Sequence, residues 1–232
     1  MIVLAMDTSS VNATVAVCNE NKILGEYTIS SERAHSQMIM PMLESMLSSL
    51  SMTVKDVDVF AVCLGPGSFT GVRIGMAAMK TLAQTLSKPI VGISATESVA
   101  ASFPFSDKYI CPIFDARRND VYNAIYLNGK KVTEDRIIDF DDLIREVKDK
   151  EVIFTGDATL KYRQVIEDMD NPNWQIAPMN LSMQRASSVA SVALERAKEN
   201  KFDNLYELSP IYIRLSQAER EYNLAHGISA TI

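Results

Sequence analysis

The order of strand-like and helix-like segments repeats along this chain, and that repeat constrains the fold more than any other feature of its 232 residues. Apolar runs rich in β-branched residues predict strands, while apolar residues three and four apart predict helices. The first half is predicted to contain strands at 2–6, 13–18 and 23–29, a helix at 34–50, a strand at 57–64, a helix at 71–86, a strand at 90–93 and a helix from residue 95. The second half is predicted to follow the same order, with strands at 109–114, 121–127 and 131–138, a helix at 140–149, a strand at 151–154, a helix at 158–169, a strand at 174–176 and a helix at 186–200. The sequence therefore predicts an α/β fold built from two similar units.

The first strand of each half ends on a carboxylate, Asp7 in one and Asp115 in the other. A pseudo-twofold relation would bring both towards one cleft, where carboxylates suit divalent-metal or phosphate chemistry. An aspartate at a strand end also starts a turn through its side-chain oxygen, so both interpretations stay open. Arg117 and Arg118, which follow Asp115, could contact phosphate or tRNA, but a pair of arginines on a turn is more often a solvated surface.

A glycine-rich segment, 65–71, joins the strand at 57–64 to the following helix. Its amides could face an anion, because a helix N-terminus carries unpaired N–H donors and a positive dipole end. The segment lacks the lysine of a Walker loop and the third glycine of a dinucleotide fingerprint. On shape alone we favour a tight turn that lets helix and strand pack closely. The candidate anion or nucleotide cleft comprises Asp7, Gly65, Gly67, Ser68, Gly71, Asp115 and Arg118.

Composition excludes several classes of protein. No apolar run approaches the roughly 18 residues that a membrane helix needs, and Asp7 follows the first apolar residues too early for a signal peptide, which predicts a cytoplasmic protein without membrane contact. The two histidines lie far apart and the three cysteines lack metal-ligand spacing, so no metal site is predicted. A net charge of −6 disfavours strong nucleic-acid binding by this chain alone.

Methionines recur on the first predicted helix, and they adapt readily to partner surfaces. Small residues on the second helix allow another helix to approach closely. We therefore predict a partner interface on these helices, against the alternative that the stripe only packs against the sheet. Partial exposure would let Met46→Glu abolish pairing while leaving the fold intact. The predicted interface comprises Met38, Met42, Met46, Arg73, Gly75, Met76 and Met79.

Five segments of the chain resemble the bacterial TsaB family. They are Asp7-Thr8-Ser9, His35-Ser36-Gln37, the glycine block from 65 to 75, Asp115-Ala116-Arg117-Arg118-Asn119-Asp120-Val121-Tyr122 and Pro210-Ile211-Tyr212-Ile213-Arg214. The resemblance implies two ribonuclease H-like lobes of the actin, sugar-kinase and heat-shock ATPase superfamily, each with a mixed sheet flanked by helices. The lobes would span 1–103, with the partner-binding helices, and 104–215, followed by a tail at 216–232.

The resemblance also implies a function. The chain would be the non-catalytic scaffold subunit for threonylcarbamoyl transfer to the adenosine 3′ of the anticodon, position 37, in tRNAs that read codons beginning with A. It would pair with the catalytic subunit TsaD and the ATPase TsaE, form a homodimer when alone, and meet tRNA only through the complex. No cofactor would bind tightly to the chain alone, whereas ATP or ADP could occupy the assembled complex.

Two departures from related proteins bear on catalysis. The catalytic relative holds a metal with two histidines four residues apart, whereas here Ile39 stands four residues after His35. Superfamily kinases place glycine two residues after the first-strand aspartate, and this chain has Ser9 there. The alternative function is an ATP-dependent kinase or ATPase that uses the Asp7/Asp115 cleft. A peptidase finds little support, because no serine or cysteine lies in a recognisable nucleophile setting.

Overall fold

The computed structural model describes residues 1–31 and 35–214, together with Tyr222 and His226. Within these residues the chain forms twelve strands and seven α-helices. The predicted tail at 216–232 lies almost wholly outside them, so its role stays a prediction. None of the described helices is long and apolar enough to cross a membrane.

The first unit is a five-stranded sheet with the order β3-β2-β1-β4-β5. Strand β1 is antiparallel to β2 and parallel to β4, because a hairpin joins the first pair and a helix precedes β4. Its elements are β1 (Ile2–Asp7), β2 (Asn12–Asn19), β3 (Ile23–Ser30), α1 (His35–Ser49), β4 (Val59–Cys63), α2 (Phe69–Leu86), β5 (Ile90–Ile93) and α3 (Ala95–Ala100). A 3₁₀ turn at Val54–Asp56 takes the chain into β4, which begins two residues later than predicted.

The second unit repeats this topology, with the order β10-β7-β6-β11-β12 and a short β8-β9 hairpin beside β6. The repeated element order predicted from the sequence is confirmed. Its elements are β6 (Tyr109–Asp115), β7 (Asp120–Asn123), β8 (Tyr126–Leu127), β9 (Lys130–Lys131), β10 (Arg136–Asp139), α4 (Phe140–Val147), β11 (Val152–Thr155), α5 (Thr159–Asp168), β12 (Trp174–Ile176), α6 (Met179–Ser182) and α7 (Ala186–Lys198).

Each of the strands predicted at 121–127 and 131–138 is interrupted in the structure. The β6 ladder pairs Ile113 with Asn123 and Ile110 with Tyr126, so the break falls opposite Pro112. Proline has no N–H to donate to a ladder, and the Asn123 side chain instead donates to the Pro112 carbonyl at 2.9 Å. Residues 132–135 then leave the sheet, and Asp135 accepts hydrogen bonds from Ser94 and Thr96 of the first unit.

Helix α7 follows the second unit but covers the first sheet. Its apolar face packs with β1, β4 and β5 in one core cluster. The Ser187 N–H donates to the Glu26 carboxylate at 2.9 Å, and the Ala186 N–H donates to Thr14 Oγ1 at 3.2 Å. The first sheet therefore lies between α7 on one face and α1 with α2 on the other, which ties the two units together.

Residues 203–214 return along the first unit after α7. The Gly92 N–H donates to Asp203, Lys80 donates to the Leu208 carbonyl, and the Ile211 N–H donates to the Leu64 carbonyl. Arg214 then reaches the second unit, donating to the Ala116 carbonyl at 2.7 Å. This segment therefore forms hydrogen bonds with both units.

Four of the predicted interface methionines belong to the core, which favours the alternative that the stripe packs against the sheet. Met42, Met46, Met76 and Met79 have at most 6% of their surface exposed, and they pack with Leu4, Phe60 and other residues of the first sheet. The stripe faces inward because α1 and α2 each have the sheet beneath them. Our expectation that Met46→Glu leaves the fold intact is therefore wrong, since Met46 is 1% exposed.

We instead expect Met46→Ala to lower the free energy of unfolding by about 2–4 kcal/mol, because it leaves a cavity in the core. Met46→Glu should prevent folding, because the carboxylate would be buried without a partner. Met40 on the same helix is 43% exposed, so Met40→Ala should change stability by no more than about 0.5 kcal/mol. Urea denaturation measures the two alanine variants, and Met46→Glu should show no cooperative unfolding transition. Equal stability of the two alanine variants would contradict the burial assignment.

Candidate functional site

The turn after β1 is packed against the start of α2 through three glycines. A Cβ atom on Gly71 would lie 2.0 Å from the Thr8 carbonyl oxygen, and one on Gly67 would lie 2.2 Å from the Ser9 carbonyl oxygen. A Cβ on Gly75 would lie 2.5 Å from Thr8 Oγ1. Only glycine permits these approaches, so the tight-turn interpretation of the glycine block is the one that the structure supports. Gly75 thus serves a contact inside the lobe.

Hydrogen bonds close the same contact. The Ser68 N–H donates to the Ser9 carbonyl at 2.6 Å, and Thr8 Oγ1 donates to the Gly71 carbonyl at 2.6 Å. Ser68 Oγ accepts from the Gly71 N–H and caps α2. Two of the amides that could have faced an anion are therefore used inside the chain. The anion cleft stays a prediction, with fewer free donors than the sequence indicated.

Asp7 lies at the base of this turn and is 1% exposed. Its Oδ1 accepts the Ser9 N–H at 2.8 Å, while Oδ2 has no hydrogen-bond partner within the described part of the chain. Burial raises the pKa of the Asp7 carboxyl, since desolvation penalises the charged form. The burial of this carboxyl also leaves little of it accessible to a phosphate-bound cation.

Asp115 has different surroundings, because it is exposed at the end of β6. Its Oδ1 accepts from Lys161 at 2.8 Å and from the Arg117 N–H at 3.2 Å. No hydrogen bond or ion pair joins Asp115 to Asp7 among residues 1–31 and 35–214. The two carboxylates occupy equivalent strand ends, as predicted, but they have different partners and opposite exposure.

Asp157 is a further acidic residue at this edge of the second sheet. Its Oδ1 accepts the Asp115 N–H at 3.1 Å, so it holds the end of β6. It lies just before α5, whose N-cap residue is Ala158. Burial raises the pKa of the Asp157 carboxyl to about 6, and the neighbouring Asp115 carboxylate adds to the rise. The residue in the sequence that could have indicated this position is Gly156. In the structure its φ of +96° forms the turn that places the Asp157 carboxyl.

Among the predicted interface residues, Met38 is half-buried and Arg73 is exposed. Arg73 Nε donates to Tyr212 Oη at 2.7 Å, and its guanidinium lies 4.0 Å from the centre of the Phe69 ring. Phe69 and Tyr212 stack with their ring centroids 4.6 Å apart. The interface itself stays a prediction, now confined to the outer faces of α1 and α2.

The repeated topology, with Asp7 and Asp115 at equivalent strand ends, defines a two-lobed protein with an actin-like fold. The chain superposes with a TM-score of 0.51 on a Bacteroides thetaiotaomicron protein with an actin-like ATPase fold, at 7% identity, covering 82% of this chain and 95% of that one. It superposes with a TM-score of 0.76 on a Pseudomonas aeruginosa protein described as similar to the peptidase YeaZ, at 23% identity, covering 92% and 99% of the two chains.

Sequence comparison identifies the family to which the chain belongs within this fold class. A profile of the family described as TsaD, tRNA N6-adenosine threonylcarbamoyltransferase, matches residues 22–222. The Bacillus subtilis tRNA threonylcarbamoyladenosine biosynthesis protein TsaB is 35% identical over 229 residues, covering 96% of this chain and 98% of that protein. The chain belongs to the TsaB family, which confirms the resemblance noted in the sequence.

Gly71→Ala should lower the free energy of unfolding by about 2 kcal/mol or more, because the added methyl group meets the Thr8 carbonyl. Gly129→Asn is the matched control, since a Cβ there would meet no atom within 4 Å and asparagine tolerates the φ of +71°. Chemical denaturation measures both. A Gly71→Ala protein as stable as the control would show that the close contact is not required.

The raised pKa of Asp157 predicts a pH dependence of stability. The folded protein binds this proton more tightly than the unfolded chain, whose carboxyl has a pKa of about 3.9, so stability falls as the pH rises from about 4 to about 6. Asp157→Asn should raise the free energy of unfolding by roughly 1–2 kcal/mol at pH 7.5 and change it little at pH 4. Urea denaturation at the two pH values tests this, and an equal effect at both would contradict it.

Proposed function

We propose that this chain is the non-catalytic scaffold subunit of an assembly that transfers a threonylcarbamoyl group to adenosine 37 of tRNAs reading codons that begin with A. Membership of the TsaB family supports the pathway. The burial of the turn after β1 supports the non-catalytic role, and it is the observation on which the proposal depends.

This turn is where a nucleotide phosphate would have to approach the first lobe. Thr8, Ser9 and Ser10 are each at most 7% exposed. The Ser9 carbonyl is bonded to the Ser68 N–H, and the Ser10 carbonyl lies 2.7 Å from His35 Nε2. Because α2 covers one side of the turn and His35 contacts the other, a phosphate group would have to displace these contacts. Hydrolysis of nucleotide by the chain alone is therefore disfavoured.

The start of α1 also fits a non-catalytic role. His35 contacts the Ser10 carbonyl with one ring nitrogen, and Ile39, four residues further on, is 1% exposed in the core. The position that carries a second metal-binding histidine in the catalytic relative thus belongs to the hydrophobic core here. One imidazole engaged with the backbone is a poor start for a multi-ligand metal site.

The outer faces of α1 and α2 support a pairing role. Apart from His35, the charged residues in these two helices are Glu44, Arg73 and Lys80. Lys80 donates to the Leu208 carbonyl and Arg73 to Tyr212, so both cations are engaged. Met40 on α1 and Ala77 on α2 are exposed, and the two helices carry few charged residues, which suits a protein interface.

We assign this face to the TsaD-type catalytic subunit, with a homodimer through the same face when that subunit is absent. A TsaE-type ATPase would join the pair, tRNA would bind only through the complex, and ATP or ADP would bind there and not tightly to this chain alone. The cytoplasmic location stays a prediction.

Reconstitution tests the scaffold role. The isolated chain, supplied with tRNA and a threonylcarbamoyl donor, should form no modified adenosine, whereas adding the TsaD-type and TsaE-type subunits should restore formation. Calorimetric titration of the isolated chain with ATP and Mg²⁺ should detect no tight binding. Tight binding together with hydrolysis would favour the alternative, a kinase or ATPase that uses the Asp7/Asp115 cleft.

Asp7→Asn distinguishes the two functions further. Asparagine keeps the acceptor for the Ser9 N–H and has no charged form to be desolvated, so stability at pH 7 should not fall. The reconstituted complex should keep at least half of its activity with Asp7→Asn, and also with Asp115→Asn. A loss of about a hundredfold or more in either variant with the fold intact would support cleft catalysis.

Ala77→Glu tests the interface, because it places a charge on the exposed face of α2 without disturbing the core. We expect this variant to keep its melting temperature and to lose pairing with the TsaD-type subunit by at least tenfold in affinity. Val165→Glu on α5, at a position 42% exposed, is the matched control and should pair normally. Size-exclusion chromatography measures pairing, and unchanged elution of Ala77→Glu would move the interface elsewhere.

A further inference from the structure

The turn that follows β6 carries two arginines in an unfavourable backbone conformation. Arg117 has a φ of 68° and Arg118 a φ of 56°. Bulky side chains rarely adopt this left-handed region, which favours glycine, asparagine and aspartate. Elsewhere in the described chain, the non-glycine residues with positive φ are all serine, asparagine or aspartate. Two consecutive arginines therefore adopt a backbone conformation that is unfavourable for arginine.

The backbone of this turn is fixed by contacts from several sides. The Asp120 N–H donates to the Arg117 carbonyl, and the Ala116 N–H donates to the Asp120 carbonyl, both at 3.1 Å. Lys161 Nζ donates to the Arg118 carbonyl at 2.6 Å. Arg214 contacts the Ala116 carbonyl from the returning segment. The conformation is thus set before any ligand arrives, and both arginine side chains are exposed.

Two of the nearby carboxylates already pair with other cations. Asp115 pairs with Lys161 at 2.8 Å, and Asp120 pairs with Arg214 at 3.3 Å. Within the described residues, neither the Arg117 nor the Arg118 guanidinium takes part in an ion pair or a side-chain hydrogen bond. The group of Asp115, Arg117, Arg118, Asp120, Asp157, Lys161 and Arg214 carries more positive than negative charge, on a chain whose net charge is −6. We call Arg117 and Arg118 the basic turn.

We propose that the basic turn contacts the phosphodiester backbone of the tRNA in the assembled complex, an inference that rests on the proposed function. Guanidinium groups bind phosphate oxygens through two parallel N–H donors, and they remain charged at all physiological pH values. A local positive group on an acidic protein attracts RNA at one place while the remaining surface repels it. Such a contact orients the tRNA and does not read its sequence.

The variant Arg117→Asn/Arg118→Asn tests the inference. Asparagine suits the left-handed conformation, so the melting temperature should stay equal or rise by a few degrees, whereas a structural role for the arginines predicts a fall. In the reconstituted complex the affinity for tRNA should fall by about tenfold or more. The slope of log affinity against log salt should decrease by about 1.4 to 1.8, which corresponds to two lost phosphate contacts.

Kinetics separates this role from catalysis. We expect the KM for tRNA to rise while kcat stays within about twofold. The control Lys148→Asn/Lys201→Asn removes the same charge from side chains that are 68% and 69% exposed, and it should leave tRNA affinity within about twofold of the wild type. An equal loss in the control would overturn the inference, because the effect would then be one of net charge alone.

Other outcomes are equally decisive. If the wild-type complex modifies tRNA and the asparagine variant matches its affinity, this inference fails while the proposed function stands. If the variant loses ATP binding by the complex but keeps tRNA affinity, the basic turn serves a nucleotide and the RNA assignment is wrong. If the wild-type complex forms no modified adenosine, it is the proposed function that fails.

Discussion

The close contact between the start of α2 and the turn after β1 is the constraint on which the first lobe depends. Gly67 and Gly71 bring the helix so near that its amide and carbonyl groups bond directly to Ser9 and Thr8. This contact seats α2 on the sheet and thereby directs Met76 and Met79 into the core. The same contact covers the turn at which a phosphate would have to enter. The close packing and the use of two amides inside the chain thus have one cause.

The two lobes share a topology but differ at equivalent positions. The turn after β1 is buried, and burial raises the pKa of its aspartate. The turn after β6 is exposed, and its aspartate is paired with Lys161 beside two arginines. Because the same topology positions both turns, their difference in exposure and charge arises from their side chains and from the residues that pack over each turn. In our proposal the first lobe supplies the pairing surface and the second supplies an electrostatic contact for RNA.

Several contacts between the lobes limit how far one lobe can move relative to the other. Helix α7 packs on the first sheet, Asp135 reaches Ser94 and Thr96, and Arg214 returns to the second unit. These contacts lie in different parts of the molecule, so relative movement of the lobes would break several at once. A scaffold that presents surfaces to partners gains from this, since preorganised surfaces lose less entropy on binding.

The sequence by itself determined the repeated topology, because apolar periodicity and turn residues are local and recur in both halves. It also placed Asp7 and Asp115 at equivalent strand ends, and the glycines indicated a close approach. Only the tertiary structure decided which face of α1 and α2 is buried, since a methionine stripe looks the same against a sheet or a partner. Only the tertiary structure likewise showed that the predicted strands are interrupted opposite Pro112, that α7 packs on the first sheet and that Asp7 is buried. These features depend on contacts between residues far apart in the chain, which no local pattern records.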